Sequence, residues 1–231
     1  MKKQKVNRKY NFPDADLYQM CTDAIRLAKR DLQYFKDQFN YDGHRLKGFH
    51  DRCQRFVEGP DDDELLGDQM IVTDKKYEAA EKVRHAIRSV MTRVRMKFSN
   101  RTGRYRKFGT AKMGDMTDAQ LLFCGRRVIR VARAQWDFLA ETGLNESHLE
   151  KLAGACQRFE RAMNIQQDKV ADRDIAVEAR VDQGNLLYDE LIVVCDIGKD
   201  IWAETDRAKY DAYCIYESNM EQKKIAQGKK G

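Results

Sequence analysis

Between Arg101 and Gly109 the chain interleaves cations with aromatics: Arg101-Thr102-Gly103-Arg104-Tyr105-Arg106-Lys107-Phe108-Gly109. Cationic heads contact phosphates and interleaved rings stack on bases, so the pattern is that of a nucleic-acid strap. The cations extend onto the neighbouring helical segments, where Arg84, Arg88 and Arg95 share one face and Arg126, Arg130 and Arg133 another. From Lys82 to Arg133 there are 15 Lys or Arg against only Asp115 and Asp118, a local +13 in a chain whose formal net charge is +6. Arg84, Arg88, Arg95, Arg101, Arg104, Arg106, Lys107, Arg126, Arg130 and Arg133 are therefore the candidate polyanion-binding residues. An internal explanation competes with that one. Residues 174–206 hold nine carboxylates against Arg180 and Lys199, and the basic stretch can pair with this acidic one, around Asp189, Asp196 and Asp200, instead of with a ligand.

Other chemistries find little support. His44, His50, His85 and His148 form no i, i+4 metal pair, and the Glu-x-x-His motif of di-iron bundles is absent. Glu81 and His85, one helical turn apart, read as an exposed ion pair. Gly103 to Thr110 lacks the Gly-Lys-Ser/Thr core of a phosphate-binding loop, and no Gly-x-Ser-x-Gly elbow presents a nucleophilic serine. The six cysteines, at 21, 53, 124, 156, 195 and 214, include no close pair of zinc-site spacing. Cys53 and Cys156 fall on apolar stripes and read as packing thiols. No catalytic residue, cofactor or metal site is expected.

The elements that carry these residues recur. Cys53-Gln54-Arg55-Phe56 returns 103 residues later as Cys156-Gln157-Arg158-Phe159. Asp14-Ala15-Asp16-Leu17 matches Asp118-Ala119-Gln120-Leu121, and Ile25-Arg26-Leu27-Ala28 matches Ile129-Arg130-Val131-Ala132, at an offset of 104. The pattern implies a tandem duplication of one helical unit, in which shared positions are scaffold and features of a single copy are the better candidates for function. Phe98 then meets Trp202, and Tyr105 meets Tyr210. Because the second copy keeps aromatics but replaces the cations with Asp211 and Ala212, Tyr105 and Phe108 read as residues that dock the segment onto the bundle.

Apolar spacing of three and four predicts three helices per copy. The first runs from Pro13-Asp14 to about Asn40 with Leu17, Met20, Ala24, Leu27, Ala28, Leu32 and Phe35 on its buried stripe. The second carries Leu46, Phe49, Cys53 and Phe56 and ends at Gly59-Pro60. Residues 61–72 read as an acidic connection, and Thr73 as the cap of a third helix that buries Tyr77, Ala80, Val83, Ile87, Val90, Met91, Val94 and Phe98. In the second copy Thr117 and Gln120 form a capping box, Gly143 closes the fourth helix and Asn145 caps the next. Between Gly154 and Gly184 no Gly or Pro intervenes, so 146–205 is either two helices with a turn near 164–173, as the first copy implies, or one long helix; the turn is preferred. The expected organisation is a flexible basic N-terminus over 1–13, a repeat over 14–108, a linker over 109–116, a repeat over 117–217 and a disordered basic tail over 218–231. The fold class is all-α, two three-helix units forming an elongated six-helix bundle.

With 231 residues and 42% apolar content the chain can bury a sizeable core. No apolar run is long enough to span a membrane and no secretory core follows Met1-Lys2-Lys3, which points to a cytoplasmic protein with reduced thiols. Gly198-Lys199-Asp200-Ile201-Trp202 followed by Ala208-Lys209-Tyr210-Asp211-Ala212-Tyr213 resembles the C-terminal signature of an uncharacterised family of bacterial duplicated all-helical proteins. The resemblance covers the second copy well and the first in outline. It implies the fold and supplies no activity or site residues. The expected function is a non-enzymatic structural or protein-interaction module, with a protein partner or a second copy of itself, or alternatively a nucleic-acid accessory protein using 82–133.

Overall fold

The structure, a computed structural model, describes residues 7–215. Among them every regular element is helical: α1 (Asp14–Arg30), α2 (Leu32–Phe39), α3 (Gly43–Glu58), α4 (Asp62–Lys97), α5 (Gly103–Arg106), α6 (Asp118–Ala134), α7 (Trp136–Leu139), α8 (Glu146–Trp202) and α9 (Arg207–Ala212), with short 3-10 turns at Met113–Asp115 and Ala140–Thr142. No described helix is long and apolar enough to cross a membrane. The expected tail over 218–231 and the first six residues of the expected loose N-terminus lie outside the described residues.

Several expected boundaries are corrected. The acidic run Asp62-Asp63-Glu64 opens α4 and is not a loop; carboxylates are favoured at a helix start, where the backbone dipole presents positive charge. Thr73 therefore sits inside α4, its hydroxyl donating to the Gln69 carbonyl at 2.8 Å. The turn preferred near 164–173 is also absent, since α8 continues through it as one 57-residue helix. There the Lys169 ammonium meets Asp68 at 3.0 Å and Arg173 donates to Gln69 at 3.2 Å, so the start of α4 lies beside this part of α8. The first helix breaks at Asp31, whose backbone (φ −102°, ψ 17°) leaves the helical region. Other stops and starts fall where the turn chemistry puts them. Asp42 caps α3, Thr117 and Gln120 make the capping box of α6, and Gly143 turns at φ +73°.

The chain forms two compact units, but not over 14–108 and 117–217. One contains residues through Asp62 together with those from Ile175 onward; the other is Asp63–Asp174. Amphipathic helices bury their stripes wherever a complementary stripe is presented, and here α4 packs with α6 and the first part of α8, while α1 and α3 pack with the last part of α8. In the first unit Leu17, Ala24, Ala28, Phe35, Phe49, Cys53 and Phe56 close over Leu187, Leu191, Val194 and Trp202. In the second, Val83, Ile87, Val90 and Val94 of α4 close over Leu121, Val128, Ala132, Leu149, Leu152 and Phe159. Gly125 lets α6 approach α8 in that core: a Cβ there would meet the Cys156 sulfur at 2.5 Å.

Residues 7–12 are not loose. Tyr10 and Phe12 are buried in the first unit, and the backbone is held at both sides by Asn185, which accepts from the Lys9 amide at 2.8 Å and donates to the Asn7 carbonyl at 3.0 Å. Tyr10 also donates to Asp14 at 2.8 Å. Asp14 is the first residue of α1 and accepts from Arg180 at 2.9 Å.

Candidate polyanion-binding face

All ten candidate cations belong to the second unit, on α4, α6 and the loop between them. The loop is shaped by its docking residues: Phe108 is fully buried and Tyr105 packs half-buried against the same core. Gly109 (φ +64°) and Lys112 (φ +56°) then turn it in the left-handed region. Such a backbone suits glycine and costs Lys112 about 1 kcal/mol or more. The Arg127 guanidinium lies directly over Gly109, so a Cβ there would push the arginine aside.

Four of the ten are already engaged. Arg84 pairs with Glu81 at 2.8 Å, Arg126 reaches both oxygens of Glu160 at 2.8 and 2.7 Å, and Arg133 pairs with Glu146. Arg104 lies 3.7 Å above the Phe138 ring, a cation–π contact. Arg88 shares a surface groove of α4 with Asp74, Glu78, Glu81, Lys82 and His85, where carboxylates offset the cations. Arg95, Arg101, Arg106, Lys107 and Arg130 are exposed and have no ion-pair partner among the described residues. The acidic stretch takes its own partners: Asp189 meets Lys9 at 2.5 Å, Glu190 meets Arg45 and Arg52, and Asp196 meets Lys199 at 2.9 Å.

Two grooves flank the loop. One, of about 710 Å³, is lined by Lys112, Asp115, Gln120, Phe123 and Arg127; the other, of about 520 Å³, by Asn100, Tyr105, Arg106 and Thr110, and Ala111 lines both. Each falls in the size range of small-ligand sites. Of the ten candidates only Arg106 lines either. Lys112, Phe123 and Arg127 are not among them, although one signal in the sequence points to Phe123 and Arg127. Phe123 falls off the apolar stripe of α6 (Leu121, Cys124, Val128, Ala132) and stands four residues before Arg127 and seven before Arg130, on one helical face. It is 67% exposed.

The chemistry elsewhere is closed or absent. No group of three or more His, Cys, Asp or Glu suited to a metal ion occurs among the described residues. Burial pushes the Cys195 thiol up to about 12 and the Cys156 thiol up to about 11, which suppresses thiolate at neutral pH. In the first unit the buried Asp31 carboxylate accepts from Tyr213 at 2.9 Å, from Trp202 at 3.1 Å and, by both oxygens, from Arg30. Burial alone would raise its pKa; the bonds from Arg30, Tyr213 and Trp202 outweigh burial and hold it below the usual value. Only 4% of Asp31 is exposed, so this cluster fastens α1, α8 and the segment after α9 and is shut to ligands.

No protein-family model, curated protein or solved structure matches this chain.

Proposed function

We propose that this chain is a non-enzymatic helical module that binds a phosphate-rich partner through the loop and α6 face of its second unit. The observation that carries this is the set of cations without internal partners, Arg106, Lys112, Arg127 and Arg130, gathered on and beside the two grooves with Asp115 the one carboxylate lining them. Such a surface gains affinity by counterion release. Heparin-affinity chromatography of the full chain tests it. Retention beyond about 0.3 M salt that falls on Arg127→Ala supports the proposal; elution with the void volume at about 50 mM salt removes it.

The same proposal takes the two units as copies of one duplicated unit that have exchanged third helices. What supports it is the burial of matching positions: Leu17 with Leu121, Ala28 with Ala132, Cys53 with Cys156, Phe56 with Phe159, and Val90 with Val194. Even the breaks correspond, buried Asp31 after α1 matching buried Gln135 after α6.

A second reading is self-association through α4. Leu66, Met70 and Tyr77 form an exposed stripe over its first half, Tyr77 lying outside the core although its spacing predicts burial, and the helix changes sign along its length, from Asp62, Asp63, Glu64 and Asp68 at its start to Arg93, Arg95 and Lys97 at its end. Two copies laid antiparallel set each acidic half against the other's basic half, as a two-fold interface requires. Light scattering across a concentration series should show a dimer that Met70→Glu dissolves; a monomer at all concentrations rejects this reading.

A further inference from the structure

We infer that the groove of Phe123, Arg127 and Lys112 holds single-stranded nucleic acid, with one base stacked on the Phe123 ring and flanking phosphates on Arg127, Lys112 and Arg106. The inference rests on the polyanion proposal above and names its occupant. Three observations carry it beyond a cationic surface. First, Phe123 is an aromatic off the buried stripe, left 67% exposed at the edge of a groove. Leaving a ring in water forgoes about 1.5–3 kcal/mol of burial, which a stacked base would recover.

Second, the cations converge by backbone shape. The left-handed turns at Gly109 and Lys112 carry the loop around the Arg127 guanidinium, so residues far apart in sequence come to line one groove. Tyr105 and Arg106 line the adjoining groove, and the two grooves meet at Ala111, which lines both.

Third, the corresponding positions of the first unit are neutralised. At the offset of 104, Phe123 and Arg127 correspond to Gln19 and Asp23. There Gln19 donates to Asp23 at 3.2 Å, and Arg26, the match of Arg130, pairs with the same Asp23 at 3.4 Å. Aromatic and free cations stand in one copy only. A single strand is favoured over a duplex because an exposed ring needs an unstacked base to cover it. Every base has a ring face, so little sequence preference is expected.

The test is fluorescence anisotropy of the full chain with a labelled oligothymidylate from about 50 mM salt upward. Three phosphate contacts give a log–log salt slope near −2, at about 0.7 per contact on a single strand. Arg127→Ala should weaken binding and reduce the slope by about 0.7. Phe123→Ala, at an exposed position that leaves the fold intact, should weaken binding about tenfold and leave the slope unchanged, as expected for loss of one stacked base. Arg26→Ala in the first unit should change neither. If heparin binds through Arg127 but Phe123→Ala holds the oligonucleotide as tightly as the parent, the stacking inference is overturned and the polyanion proposal stands. Polyglutamate bound as tightly as the oligonucleotide also overturns it. If neither heparin nor oligonucleotide binds, both fall.

Discussion

Replacing Asp31 should unfasten the first unit more than any single apolar truncation of equal size. Its carboxylate receives the Tyr213 hydroxyl and the Trp202 indole N–H inside the core, while the Arg30 guanidinium that completes the set is half-exposed. Hydrogen bonds to a buried charge are worth about 1.5–3 kcal/mol each, and donors left unsatisfied carry their own penalty. The half-exposed Arg30 adds about 1 kcal/mol or less. Release of the carboxylate's desolvation cost offsets part of this, so Asp31→Ala should cost about 3–4 kcal/mol and Tyr213→Phe about half of that. Urea unfolding followed by fluorescence reads this directly, because Trp202 is one of only two tryptophans and Trp136→Phe leaves it as the sole indole. The pH dependence has a defined sign. The native carboxyl is held below its unfolded value, ordinarily about 3.9, so the unfolded chain takes up the proton first as pH falls. Stability from this group is complete above the unfolded value and is lost as pH drops through the native one. Asp31→Asn should therefore flatten the acid limb of the stability profile. A loss under about 0.5 kcal/mol for Asp31→Ala, typical of an unimportant surface change, or an acid limb identical in Asp31→Asn, would refute the reasoning.

Two close approaches make further tests. Gly125→Ala drives a Cβ against the Cys156 sulfur and Gly198→Ala drives one into the Tyr213 ring; each should destabilise its unit by about 1–3 kcal/mol in thermal or urea unfolding, the usual cost of overpacking. Cys21, Cys53, Cys124, Cys156 and Cys195 are buried, whereas Cys214 is half-buried. A chromogenic disulfide reagent should label Cys214 first and the others at the rate of unfolding, so prompt labelling of five or six thiols in the native protein contradicts the packing described.

Much of the scaffold was legible because burial follows helical period: Leu17, Ala28, Phe49, Cys53, Val83, Leu121, Phe159 and Val194 all lie inside. Periodicity says which face of a helix is greasy and nothing about which other helix covers it. That is why α4 was grouped with α1 and α3 when it packs on α6 and α8. The turn preferred within 146–205 failed for a related reason. A loop at 61–72 would imply that turn in the second half, but 62–72 is itself helical, so nothing in the first half calls for a break in α8. The absence of Gly and Pro between 154 and 184 was the better guide. At the candidate face, charge density points to the second unit, while the fold decides which of its cations are paired. Arg126, Arg133, Arg84 and Arg104 are spent on Glu160, Glu146, Glu81 and Phe138, partners brought in by the fold. Lys112 and Arg127 come together through left-handed turns that no spacing rule discloses. Asp31 was invisible because its donors lie 171 and 182 residues away.

Each compact unit draws segments from both sides of the 109–116 loop, and cutting that loop tests this most directly. A protease site inserted between Met113 and Gly114, beside the exposed Lys112, leaves each core uncut. After cleavage the two fragments should co-elute as one particle of the parent's mass in light scattering and separate only in denaturant. Fragments that part under native conditions, each folded by itself, would mean that helices pack within their own half of the sequence, contradicting the packing of α4 on α6 and α8.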